Sequence, residues 1–216
     1  MSQSPLLAWH FLPADRRLRF GDRRLAEPGR TLTVSPPLLL DSRGLHASVR
    51  PIDALSYAPG PILCRVALSG EILEDKDKVC AEHRTVLCMA DATRALHLFA
   101  CDEAERALQI AKVDEPRCAA AIKTKRRWLD GEATDEELDA AWAAAWDVDR
   151  VIDKGVGWGV GWARAAVRAT ARAASGSTAW LAAREAARTA DLAVGRDEQN
   201  ERLTAVFLGL QPKEAE

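Results

Sequence analysis

The stretch PGPILCRVALSGEILEDKDKVCAEHRTVL, residues 59–87, decides the fold. Ile62, Cys64, Val66 and Leu68 alternate with Leu63, Arg65 and Ala67, which is the period of a β-strand. Arg65 falls on the face opposite Cys64 and Val66, and marks that face as solvated. Lys76 and Asp77 read as a turn, so residues 79–87 supply a partner strand. Pro59-Gly60-Pro61 stops whatever precedes it.

Toward the N-terminus the same grammar continues. Pro28-Gly29, Pro36-Pro37, Gly44 and Pro51 punctuate short apolar segments, of which 32–34 and 38–40 read as strands. One short helix interrupts them, with Ser48 as its cap, Pro51 in its first turn, and Ile52, Leu55 and Tyr57 following. Toward the C-terminus the period changes to that of helices from about residue 89. Asp91 caps a first helix to residue 112, and Asp114 a second that Gly131 ends. Thr134 and Glu137 form a capping box for a third, to about residue 153. A fourth covers 156–174, and one or two more follow the Ser175-Gly176-Ser177 break, across 178–208. The expectation is an α+β protein: a small mixed α/β N-terminal domain, residues 1–87, and a C-terminal all-α helical bundle, residues 88–216.

Bulk composition narrows the function. Of 216 residues, 48% are apolar and 29% charged, which suffices for a core without disulfide staples. A net charge of −2 offers no global field for nucleic acid or an anionic membrane, so neither is expected as a partner. The five cysteines are odd in number and include no C-x-x-C. With no signal peptide and no apolar run of membrane length, a cytoplasmic protein with reduced thiols is expected. The histidines lack metal-ligand spacing, so no metal is expected. G-x-S-x-G and the Walker spacing are absent, and the GVGWGVG run at 155–161 sits in a helical context without a strand before it.

Four groups of residues remain as candidates. His46 lies between Gly44-Leu45 and a capped helix, where it either ties a strand end to the following turn or contacts a ligand. The acidic run at 71–77, EILEDKD, reads as a solvated turn or as carboxylates available for acid–base work. Lys123, Lys125, Arg126 and Arg127 precede Trp128, and serve either a helix C-terminus or an acidic partner. Trp142 and Trp146, and again Trp158 and Trp162, are four apart among Ala and Gly. They form either a close-packed bundle or an aromatic face for a partner. The glycines at 155, 157, 159 and 161 each cost about 1 kcal/mol of helix stability, which close packing or ordering on binding would offset.

Three resemblances attach to these residues. RTLTV, LLLDSRGLHAS, PIDALSYA and CRVALSGEI, followed by Asp77-Lys78, cover about residues 18–87 and resemble an uncharacterised phage and bacterial domain with a Gly-Leu/Phe-His-Ala turn. No activity follows from it. Residues 95–175, with CDEAERAL, DEPR and RRWLDGE, are similar to Ala-rich helical proteins described as immunity proteins of bacterial toxin systems, which implies protein binding. GLHAS with PIDALSYA and CRVALSGEI is also similar to the middle of ADP-ribosyltransferase folds. That resemblance implies NAD as ligand, His46 and Tyr57 as its aromatic neighbours, and Glu71 or Glu82 as the acid. His10 lacks the adjacent glycine of that family's first strand. The leading expectation is therefore a non-enzymatic, inhibitor- or immunity-like binder of another protein, belonging to a phage, mobile element or bacterial conflict system, with no cofactor and with self-association possible through the Trp/Gly helices. The alternative is a protein that binds NAD or a nucleotide around His46 and Tyr57.

Overall fold

The alternation at 62–68 is the start of a strand that runs well past it. The computed structural model describes residues 4–152, 158–176 and 178–210, and the side chains at 151–152, 158–162 and 192–193 lie outside that description. β1 (Leu6–Leu12), β2 (Thr31–Thr33), β3 (Leu45–Ala47), β4 (Ile62–Glu74) and β5 (Val79–Asp91) build one antiparallel sheet. Its order is β1-β4-β5-β2, and β3 also pairs with β5. α1 (Pro51–Ser56) connects β3 to β4. The remaining helices are α2 (Thr93–Ile110), α3 (Pro116–Leu129), α4 (Asp135–Ile152), α5 (Trp158–Ala174), α6 (Ala179–Val194) and α7 (Arg196–Gly209). The protein is of the α+β class, with its strands first and most of its helices after them. It divides into two units, Met1–Ala92 with Leu203–Glu216, and Thr93–Arg202.

Register fixes the sheet's inner face. His10 pairs with Cys64, Ala8 with Val66, and Leu68 with Arg84. Since Cys64, Val66 and Leu68 project to one side of β4, His10 and Arg84 project to that side too. Around them Leu12, Leu32, Leu45, Ile62, Val66 and Leu68 form the apolar core. The opposite face, expected to be solvated, is covered instead. Trp9 and Phe11 are buried there, with the Phe207 ring 5.7 Å and 5.8 Å from theirs. Arg65 lies over the Trp9 ring at 4.5 Å, so its charge stacks on an aromatic surface.

Two glycines permit close approaches. Gly70 has φ +78° at a register shift between Ser69 and Ile72, where a Cβ would lie 2.9 Å from that of Glu82. Gly44 has φ +141°, and a Cβ there would sit 1.9 Å from the Cys80 Sγ. The glycine of the Gly-Leu-His-Ala turn is thus required by the cysteine opposite it.

Several local expectations are corrected. Residues 38–40 form no strand, because Leu39 bonds back to Arg43 within its own turn. Ser48 does not cap α1, because its backbone is taken up by two bonds to Trp9, and the cap position is Arg50. Asp114 gives way to Glu115, whose carboxylate accepts the Arg117 N–H at 3.1 Å. The Thr134 box forms as expected: Thr134 Oγ1 accepts the Glu137 N–H at 3.2 Å, and Glu137 accepts the Thr134 N–H at 2.8 Å.

The second unit is packed through alanine. Ala121, Ala145, Ala171 and Ala174 meet in one cluster, with Ala141 and Trp146 against it. Ala104, Ala166, Ala183, Ala186 and Ala190 are fully buried as well. Such small side chains let helices approach closely, which is what the composition of this half requires. No helix among the described residues is long and apolar enough to cross a membrane.

Gly44→Ala is expected to lower the melting temperature of the first unit, and Cys80→Ala in the same chain to restore part of it. Gly29→Ala, at φ +79° but with nothing within 4 Å, should cost less than Gly44→Ala. Equal losses at the two positions, measured by differential scanning calorimetry, would contradict the steric account.

Candidate functional site

β1, β3, the loop at 13–22 and the end of α1 enclose a cavity of about 560 Å³ in the first unit. Its volume lies within the range of small-molecule sites. His46 and Tyr57 both border it, as do His10, Arg84, Phe20 and Asp41.

His46 is a structural tie, but to the residues before it and not to the turn that follows. Its Nε2 accepts the Asp41 N–H at 3.3 Å, so Nδ1 carries the proton and donates to the Gly44 carbonyl at 3.1 Å. The ring is neutral and both nitrogens are occupied within its own turn. It shapes the wall of the cavity and has no nitrogen left for proton transfer. Burial, more than the nearby Arg84 and Lys78, holds its pKa below the ordinary imidazole value.

Tyr57 stands at the rim, half exposed, and its hydroxyl donates to Asp77 Oδ2 at 2.8 Å. Lys78 pairs with Asp41 and lies 5.6 Å from the Tyr57 ring. The β4–β5 turn is thereby tied to the loop that carries Asp41 and leads into β3. Phe20 is 99% exposed, and like Asp41 it is a non-glycine residue at positive φ, +59° against +71°. Strained backbone of this kind gathers at binding sites.

Two residues that spacing did not bring together form the floor. His10, whose ring makes no hydrogen bond among the described residues, is kept neutral by burial, then by Arg84 and His46. Arg84 is buried, and burial brings its pKa down to about 10. They are 74 residues apart in sequence, and only the ladder through β4 places them on one face.

The other sequence candidates lie elsewhere. Glu71, expected as the acid of a transferase site, is exposed on β4 and does not border the cavity. Its N–H instead donates to Glu82 Oε2 at 3.3 Å, and Glu82 is not in the lining either. The acidic run is strand as far as Glu74 and not the turn its composition suggests. The basic run does not form one charged face. Lys125 is buried, Arg126 pairs with Asp102 and Glu105, Arg127 donates to the Glu132 carbonyl at 2.6 Å, and Lys123 is exposed. Trp142 and Trp146 share a face with rings 6.4 Å apart at 80°, and Arg172 lies over Trp146. Gly155 and Gly157 and the side chains of Trp158 and Trp162 lie outside the described residues. No protein-family model, curated protein or solved structure matches the chain.

The histidines make the first unit acid-sensitive. Both have folded-state values below the 6.5 of a free imidazole, so the unfolded chain binds more protons as pH falls through that value. Stability is therefore present above about pH 6.5 and declines below it. His10→Gln should flatten that decline between about pH 7 and about pH 5, read by urea unfolding. An unchanged slope would show that His10 is not held neutral.

Lys125 gives the second unit the complementary signature. Its Nζ donates to the Ser175 carbonyl at 2.9 Å and lies 4.1 Å from the Trp128 ring, while burial brings its pKa from 10.5 to about 8. The unfolded chain binds the extra proton between those values, so the parent gains stability as pH rises through them. The stability of Lys125→Met relative to the parent should accordingly fall between about pH 8 and about pH 10. A difference independent of pH would contradict the burial of this ammonium.

Proposed function

We propose that the first unit is a small-molecule-binding domain and that its ligand is NAD or a related nucleotide. The cavity of about 560 Å³ carries this reading, because the Gly-Leu-His-Ala turn and Tyr57 both border it. Phe20 and Tyr57 add two accessible aromatic rings in the same lining, suited to stacking on a planar base or nicotinamide. The reading stops at binding. A transferase needs an acid to steady the ribose cation, and no glutamate borders the cavity among the described residues.

A second reading, of the helical unit as a protein-binding, inhibitor- or immunity-like module, stands on Trp142. That indole remains 40% exposed beside Trp146, and exposed Trp is favoured at interface hot spots.

Isothermal titration of the full chain with NAD tests the first reading. Binding is expected, and Tyr57→Ala and Phe20→Ala should each weaken it about tenfold. Absence of heat with NAD and with simple nucleotides, or unaltered affinity in both variants, would remove the nucleotide reading.

A further inference from the structure

Arg84 is a buried cation without a counter-charge among the described residues. It is 2% exposed, lies on the same sheet face as His10, and borders the cavity. Its Nη1 donates to the His46 carbonyl at 2.6 Å. Its Nε is buried with no acceptor, and no carboxylate is ion-paired with it among the described residues. Asp22 is the carboxylate whose field reaches it, but Asp22 is bound to Arg24, with Nε at 3.0 Å and Nη2 at 2.7 Å. Removing a guanidinium from water with neither an ion pair nor a full set of acceptors is strongly unfavourable. A buried polar group left unsatisfied calls for a partner, and a bound group can complete it.

We infer that the ligand supplies the missing charge: the cavity takes a molecule bearing a phosphate-class oxyanion, which docks on the guanidinium of Arg84 beside His10. The inference rests on the reading of the cavity as a nucleotide site, and assigns the residue that holds the phosphate. A guanidinium presents its N–H groups as a planar fork that matches phosphate oxygens. The neutral His10 ring, with no partner among the described residues, has one N–H to donate to the same group. The lining favours a multiply charged anion over a lone carboxylate. Arg17, Arg19 and Arg43 border the cavity, while its two acids, Asp22 and Asp41, are engaged by Arg24 and Lys78.

The test is calorimetric titration of the full chain, in buffer free of oxyanions, with inorganic pyrophosphate and separately with adenosine. Pyrophosphate should bind the parent and bind Arg84→Met at least about tenfold more weakly, while adenosine binds both alike. Arg84→Lys keeps the charge but not the fork, and should bind pyrophosphate more weakly than the parent. It serves as the test should the Met variant not fold. Pyrophosphate that binds parent and variants equally, as a loose surface contact would, overturns the inference, and so does its failure to bind the parent. The nucleotide reading fails separately. If pyrophosphate binding depends on Arg84 while neither adenosine nor NAD competes, the oxyanion site stands without it. If adenosine binds and pyrophosphate does not, the cavity is a site for a ring and the oxyanion assignment is lost.

Discussion

The cavity depends on one close approach, that of the Gly44 backbone to the Cys80 side chain. With only a hydrogen at position 44, the backbone there comes close to the Cys80 Sγ where β3 pairs with β5. That pairing presents the His46 carbonyl to Arg84 and turns the His46 ring back on Gly44 and Asp41. The loop held in this way is also where Lys78 pairs with Asp41, next to Tyr57. A single steric constraint therefore positions the cavity's wall, one acceptor for its buried cation, and part of its rim.

Much of this was legible in local pattern. The alternation at 62–68 marks a strand, the change of period near residue 89 separates the sheet from the helices, and the Thr134–Glu137 box forms with both of its bonds. That His46 could act as a structural tie was legible because a neutral imidazole can donate and accept at once, though it bonds to residues before it and not to the turn after it. What local pattern could not supply is register. His10 and Arg84 share a face only because β1 and β5 flank β4 in a particular alignment, with a register shift between Arg65 and Val66. Nothing within a few residues of Arg84 distinguishes it from any arginine on a strand.

Other departures have equally physical causes. Strand pairing continued through the acidic residues after Leu68, since charged side chains at a strand's end reach water without disturbing the ladder. Ser48 lost its capping role to a backbone pairing with Trp9, and hydrogen bonds of the main chain take precedence over an optional side-chain cap. The face of β1 that carries Trp9 and Phe11 is covered by Phe207, a residue nearly two hundred positions away, which no periodicity reveals. Lys125 looks like one charge in a basic run, yet it is buried with its ammonium against the Trp128 ring and the Ser175 carbonyl.

The central claim is that Arg84, buried without a counter-charge among the described residues, receives one from a ligand. A crystal structure grown in the presence of NAD tests it most directly. The account predicts phosphate oxygens within hydrogen-bond reach of the Arg84 guanidinium, with His10 beside them and Asp22 still held by Arg24. An empty cavity in which Asp22 has turned to pair with Arg84 would contradict it.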